Sequence, residues 1–168
     1  MKKLYFVRHG LSQMNVNGLF AGHTDTSLTD RGRVQAVEAG KHAKGLDIGL
    51  IVSSPATRAH ETAEIIAAEI GYPTDKIQTS DLLLERNFGI MEGKAYEPNL
   101  NISDVPGAET VEQLLERAHS AVKWLKEQEA DNILVVSHGA IGRAMRYVID
   151  PTIDFQLKLE NGAVVELL

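Results

Sequence analysis

Two arginines and two histidines of this sequence could together bind a phosphate group. Arg8 and His9 are neighbours near the N-terminus, Arg58 lies further along the chain, and His138 lies near the C-terminus. Each guanidinium can give paired hydrogen bonds to phosphate oxygens, and an imidazole can donate one more. Glu85 joins them as the fifth candidate. If these side chains meet, they form a local cationic pocket that suits a phosphate dianion.

The candidates follow short apolar segments that are typical of buried strands. Four such segments are present: Leu4–Val7, Ile48–Val52, Ile77–Ser80 and Ile133–Val136. Arg8-His9 comes directly after the first segment, Arg58 opens the helix after the second, Glu85 follows the third and His138 follows the fourth. Ligands of open parallel sheets bind outside the carboxyl ends of the strands, so we expect these residues to converge.

Helix signals alternate with these strands. Thr29 can cap a helix over residues 30–44, and a second helix after Pro55 should stop at Gly71. Thr110 and Gln113 form a capping box before a helix that should end near residue 130. Another apolar helix should follow residue 139.

The order of these elements predicts an α/β fold. Strands that alternate with helices form a mostly parallel sheet covered on both faces, so we expect one three-layer α/β/α domain over residues 1–168. At the C-terminus, residues 155–159 alternate, Asn161-Gly162 marks a turn and Val164–Leu168 follows, which predicts an edge hairpin. Gly93–Ala108 is the one long irregular segment, typical of a lid or surface loop.

Composition excludes several classes of protein. The 168 residues fit one domain, and 43% hydrophobic and 24% charged residues are typical of a globular chain. A net charge of −6 argues against a nucleic-acid or anionic-membrane partner, and the lack of cysteine excludes disulfides and cysteine-containing zinc sites. The apolar run before Arg8 is too short for a signal peptide or membrane span, so we expect a cytoplasmic monomer or homodimer.

Short motifs surround the candidates. In chain order they are Arg8-His9-Gly10 with Asn15; Gly22, Asp25, Leu28-Thr29, Gly32 and Gln35-Ala36; Ser53-Ser54-Pro55 with Arg58, Thr62 and Ala63; Glu85, Phe88-Gly89, Glu92-Gly93 and Glu97; Ser137-His138-Gly139; and Leu159-Glu160-Asn161-Gly162. This series resembles the histidine phosphatase superfamily, whose members include phosphoglycerate mutases and many small-molecule phosphatases. Leu11 and Ser27 depart from the family's frequent Glu and Pro without removing a phosphate-binding group.

The resemblance implies a mechanism and a set of roles. His9 would attack phosphorus and form a phosphohistidine, and a protonated Glu85 would donate to the leaving oxygen. The same resemblance implies phosphate binding by Arg8, Asn15, Gly22, Arg58, His138 and Gly139. It implies neither a metal ion nor another cofactor, and the substrate would be a small phosphorylated metabolite.

Three alternatives to a phosphomonoester hydrolase stay open. A mutase would return the phosphoryl group to its substrate, but mutases of this family carry a long helical insertion where Gly93–Ala108 is short. A phosphohistidine-protein phosphatase would not need the acid segment around Glu85. A non-catalytic phosphate-binding module would not need the full set of polar residues.

Overall fold

The computed structural model describes residues 1–168 and contains one five-stranded sheet. The strands are β1 (Lys3–Arg8), β2 (Leu50–Ser53), β3 (Gln78–Thr79), β4 (Asn132–Ser137) and β5 (Val164–Glu166). They lie in the order β3-β2-β4-β1-β5. The first four strands are parallel, and β5 runs antiparallel to β1 at one edge.

Five α-helices connect or follow the strands: α1 (Gln13–Val16), α2 (Asp30–Ala43), α3 (Thr57–Ile70), α4 (Val111–Lys126) and α5 (Gly139–Ile149). The predicted caps are confirmed: Thr29 accepts from the Gly32 amide, and Thr110 and Gln113 form both bonds of a capping box. Gly71 ends α3 with a φ of +75°. α4 stops at Lys126, earlier than predicted. None of the helices combines the length and apolar character that a membrane crossing requires.

Two hydrophobic cores cover the two faces of the sheet. Successive residues of a strand point to opposite faces, so Leu4 and Phe6 pack against α4 and α5, whereas Tyr5 and Val7 pack against α2 and α3. The strands β2 and β4 divide their side chains in the same way. This confirms the predicted three layers and explains why these strands are continuously apolar.

The predicted C-terminal hairpin is wrong, because only its second arm is a strand. β5 pairs directly with β1, whereas residues 155–161 pass over the carboxyl end of β1 without pairing to it as a strand. Their alternating pattern has another cause. Leu159 is buried in the core and Phe155 packs against Tyr147, while Leu157 between them is exposed.

The carboxyl ends of the central strands lie side by side. Arg8 at the end of β1 pairs in register with Ser137 at the end of β4, and Ser53 of β2 pairs with Val136. The next residues of these strands, His9, Ser54 and His138, are therefore brought to one edge of the sheet. The backbone continues the pairing there, because the His9 amide donates to the Ser137 carbonyl at 2.9 Å.

The turn after His9 packs tightly against α2. A Cβ atom added at Gly10 would lie 2.2 Å from the Gly32 carbonyl oxygen, and the Gly10 amide donates to Thr62 Oγ at 3.1 Å. Two backbones therefore approach each other closely at the residue that follows His9.

We predict that Gly10→Ala lowers the free energy of unfolding by about 1–3 kcal/mol, because the backbones must separate to admit a methyl group. Gly45→Ala is the matched control, since an added Cβ there meets no atom within 4 Å. Urea denaturation of both variants measures the difference. Equal stability of the two variants would show that the Gly10 contact is not a constraint.

Candidate active site

His9 is buried and held in one orientation. The residue is 3% exposed, and its Nδ1 atom lies 2.7 Å from the Gly10 carbonyl oxygen. Because a carbonyl only accepts, Nδ1 carries the hydrogen and Nε2 keeps its lone pair. Burial, followed by the charges of Arg58 and Arg8, holds the pKa of His9 well below its usual value. The ring is therefore neutral at pH 7, with a free nucleophilic nitrogen.

His138 packs against His9, with ring centroids 5.1 Å apart. Its Nε2 lies 2.8 Å from Ser54 Oγ, which itself accepts from the Ala56 amide. The Ser54 hydroxyl can then donate to Nε2, which leaves the hydrogen of His138 on Nδ1. Nδ1 is buried and has no partner in the protein. Burial, and then the charge of Arg58, also lowers the pKa of His138 well below its usual value.

Two arginines bring positive charge to this site without forming ion pairs. Arg58, which is 1% exposed, donates from Nη2 to the Gly22 carbonyl at 2.8 Å and from Nη1 to the Thr24 carbonyl at 3.1 Å. Arg8 donates from Nη1 to the Leu159 carbonyl at 3.0 Å. The Nε atoms of both arginines are buried without a partner. Backbone carbonyls thus orient the guanidiniums but do not neutralise them.

Glu92 supports the loop that holds Arg58. Its carboxylate accepts from the His23 amide at 2.8 Å and from Thr24 Oγ at 3.1 Å. Gly22 has a φ of +56°, and a Cβ there would overlap Glu92 Oε1. The contribution of Gly22 is therefore its carbonyl, which accepts a hydrogen bond from Arg58. Glu92 lies outside the cavity lining and stabilises this loop.

Asn15 belongs to the turn after β1. Its Oδ1 accepts from the Ser12 amide at 3.0 Å, while Ser12 Oγ caps α1 in return. Asn161 reaches the same turn, because its Nδ2 donates to the His9 carbonyl at 2.9 Å. Asn15 and His9 both line the cavity.

Glu85 lies at the N-terminus of α5. Its Oε1 accepts from the amides of Arg86 at 2.8 Å and of Ala140 and Ile141 at 3.2 Å, while Oε2 shares only the Ala140 amide at 3.2 Å. These contacts are all backbone N–H donors, and two of the amides belong to the first turn of α5. The role of Glu85 as proton donor stays a prediction. Oε2 is the oxygen with room for a proton.

The predicted residues meet in one cavity of about 700 Å³. Seven of the eight line it: Arg8, His9, Asn15, Gly22, Arg58, Glu85 and Gly139. His138 is fully buried and lies against His9. No group of three or more His, Asp or Glu side chains in the structure is arranged to hold a metal ion.

The mouth of the cavity is partly apolar. Phe20 packs against Phe88 and Tyr96, with ring centroids 4.9 and 5.2 Å apart. Part of the irregular segment 93–108 forms the same wall, and Arg143 and Phe155 lie in the lining as well. A bound molecule would therefore contact charged side chains at the carboxyl ends of the strands, and both polar and apolar side chains at the mouth of the cavity.

The sequence pattern of one known family covers almost the whole chain. The family described as Histidine phosphatase superfamily (branch 1) matches residues 4–167. This chain belongs to that superfamily. The resemblance in the short motifs is thereby confirmed.

Relatives of this chain carry different names. It is 33% identical to "Putative phosphoserine phosphatase 2" of Hydrogenobacter thermophilus, over 83% of this chain and 74% of that protein. It is 31% identical to "Probable phosphoglycerate mutase GpmB" of Salmonella choleraesuis, over 83% of this chain and 70% of that protein. A solved structure of the alpha-ribazole phosphatase from Shigella flexneri is 25% identical, with a TM-score of 0.83 over 98% of this chain and 89% of that one.

Several residues of the site had no role assigned from sequence. Ser54, Thr62 and Asn161 each belong to a motif, but only the structure shows that they contact His138, the Gly10 amide and the His9 carbonyl. Their motif positions were the one signal available, because the contacts join distant parts of the chain. Arg117 lies outside the motifs and pairs with Glu109.

We predict that acid destabilises this protein below pH 6.5. The unfolded state takes up protons on His9 and His138 near that pH, whereas the lowered pKa of each residue keeps it neutral in the folded state. The unfolded state then binds more protons, so the free energy of unfolding falls as pH falls, by up to about 1 kcal/mol per histidine between pH 6.5 and 5.5.

Urea denaturation at the two pH values measures this effect. His9→Gln should weaken the pH dependence, and the exposed His42 provides the control variant His42→Gln. A His9→Gln variant with the wild-type pH dependence would show that His9 is not held neutral.

Proposed function

We propose that this protein hydrolyses small phosphomonoesters through a phosphohistidine on His9. The observation that carries the proposal is a set of three buried nitrogens without protein partners: Arg8 Nε and Arg58 Nε, which belong to residues that line the cavity, and His138 Nδ1, which belongs to the ring packed against His9. Buried donors are normally hydrogen-bonded, so three unpartnered ones at one place call for an anion with several oxygens. A phosphoryl group meets that requirement.

In the first step, His9 Nε2 attacks phosphorus and the bond to the leaving oxygen breaks. Nδ1 keeps its hydrogen throughout, because it donates a hydrogen bond to the Gly10 carbonyl oxygen. The oxygens of the transferred phosphoryl group accept hydrogen bonds from Arg8, Arg58 and His138. The negative charge on these oxygens is the main quantity that catalysis must stabilise. Asn15 adds a donor from the same cavity wall.

Glu85 handles the proton in this proposal. A phosphate monoester has its second pKa near 6, so the monoanion can carry a proton into the site and leave it on Oε2. The carboxyl then protonates the leaving oxygen. In the second step the carboxylate accepts a proton from water, water oxygen bonds to phosphorus, and the bond to Nε2 breaks. Neutral His9, protonated Glu85 and HPO₄²⁻ result. Transfer of the Glu85 proton to the departing phosphate restores the carboxylate, so charge and protons balance over the cycle.

The positive charge in this mechanism comes from Arg8 and Arg58, so we propose that neither a metal ion nor another cofactor takes part. The apolar wall at Phe20, Phe88 and Tyr96 favours esters whose leaving group has carbon surface to bury. A mutase would differ only in the second step, where an alcohol of the substrate would replace water.

We predict that His9→Ala abolishes turnover while the circular dichroism spectrum stays that of the folded protein. Brief incubation of the wild type with ³²P-labelled substrate should leave acid-labile, base-stable label on His9, and full activity should persist in a strong chelator. Rapid turnover without label on any histidine would refute the covalent step. Label that passes to an added phosphoglycerate in preference to water would identify a mutase.

A further inference from the structure

Glu85 lies in a segment that has no regular secondary structure. Residues 85–87 follow a 3₁₀ turn at Asp81–Leu83 and precede another at Gly89–Met91. No sheet ladder or helix therefore fixes the backbone that carries this carboxylate. Its carbonyls must find other donors, since buried backbone oxygens are rarely left unpaired.

Arg117 of α4 supplies those donors. Its Nη1 donates to the carbonyls of Leu82 at 2.9 Å and Leu84 at 2.6 Å, and its Nη2 donates to the carbonyl of Glu85 at 3.4 Å. One guanidinium thus binds three carbonyls of the segment that ends at Glu85. The exposed His23 adds one contact, from Nε2 to the Glu85 carbonyl at 3.0 Å.

Glu109 fixes the orientation of that guanidinium. Its two oxygens accept from Arg117 Nε at 2.8 Å and from Nη2 at 2.7 Å, and the two side chains are only 15% and 18% exposed. All five N–H groups of Arg117 are then used. A lysine has three donors and no planar fork, so it cannot reproduce this arrangement.

The backbone of Glu109 holds the other side of Glu85. Its carbonyl accepts from Arg86 Nε at 2.8 Å, and its amide donates to the Asn87 carbonyl at 2.9 Å. The residues before and after Glu85 are therefore joined to one ion pair. α4 itself is anchored independently, because Leu114, Ala118 and other residues of its inner face lie in the core.

We propose that Arg117, oriented by Glu109, is a positioning residue for the proton transfer by Glu85. The carboxylate is held by α5 at its tip, and the backbone that carries it is held by Arg117 together with His23 and the backbone of Glu109. Removal of Arg117 takes away three of these backbone contacts, so the carboxylate loses much of the support on that side. Displacement of a reacting group by about 1 Å can cost roughly 100-fold in rate. This inference rests on the acid role proposed for Glu85.

The test compares first-turnover rates with an alkyl phosphate, glycerol 1-phosphate, and an aryl phosphate, 4-nitrophenyl phosphate. Protonation of the leaving oxygen matters for the alkoxide and little for the stabilised nitrophenolate. Glu85→Gln should slow the alkyl ester by about 10²- to 10⁴-fold and the aryl ester much less. Arg117→Met should slow the alkyl ester by about 10- to 100-fold with a small change in KM, and the aryl ester by less than about 3-fold.

The double variant separates positioning from general damage. In the Glu85→Gln background, Arg117→Met should cause no further loss with the alkyl ester, because residues that act as one unit are not additive. Arg117→Lys serves if the Met variant does not fold, and it should show the same selectivity to a smaller degree. Arg33→Met, which breaks an exposed arginine–glutamate pair between α2 and α3, is the control and should leave both rates unchanged.

Three results would overturn the proposal. Equal losses with both esters in the Arg117 variants would make Arg117 a general structural residue, as would losses that multiply with that of Glu85→Gln. Glu85→Gln could also slow both esters equally while His9 of the wild type still becomes labelled. That result would refute both the acid role of Glu85 and the positioning role of Arg117, and it would leave the phosphohistidine mechanism standing.

Discussion

Two guanidiniums without ion-pair partners, that of Arg58 buried and that of Arg8 partly buried, lie beside two neutral imidazoles and define the site. Most other features of the protein serve that arrangement. Arg8 and Arg58 have no carboxylate partner, and burial of an unpaired charge is costly. The protein offsets part of this cost with the carbonyls of Gly22, Thr24 and Leu159. Burial, and then the same charges, lower the pKa values of His9 and His138, so one arrangement supplies both anion affinity and a free nucleophile.

The parallel sheet makes this concentration of charge possible. Consecutive strands end at the same edge, so residues from three distant parts of the chain meet without a long connecting loop. Continuous apolar strands and two separate cores hold that edge rigid. The less regular segments complete the site: the loop with Gly22, the segment with Glu85 and part of residues 93–108.

The sequence predicted the parts of this protein that depend on local signals. Two helices begin at Thr29 and at the Thr110–Gln113 capping box, and one ends at Gly71. These signals act through contacts within a few residues, so their positions could be found without the fold. Convergence of the candidates followed from strand order and from the family resemblance. The failures are non-local: residues 155–159 have the alternation of a strand but pack as a loop, since β5 already occupies the edge of β1.

In the site, too, the identity of some residues could be predicted from the nearby sequence, whereas their contacts with distant residues could not. Types and spacing indicated Arg8, His9, Arg58 and His138, but nothing near Glu85 in the chain predicts that α5 would donate three backbone contacts to its carboxylate. Asn161 and Arg117 also act over long sequence separations. Contacts of this kind depend on the assembled fold.

The stereochemical course at phosphorus tests the central claim most directly. A phosphate ester made chiral with oxygen isotopes can be cleaved in the presence of an alcohol acceptor, and the configuration of the new ester can be determined by ³¹P NMR. Each in-line displacement inverts phosphorus, so attack by His9 followed by attack of the acceptor on phosphohistidine predicts overall retention. Overall inversion would mean a single direct displacement and would contradict the account.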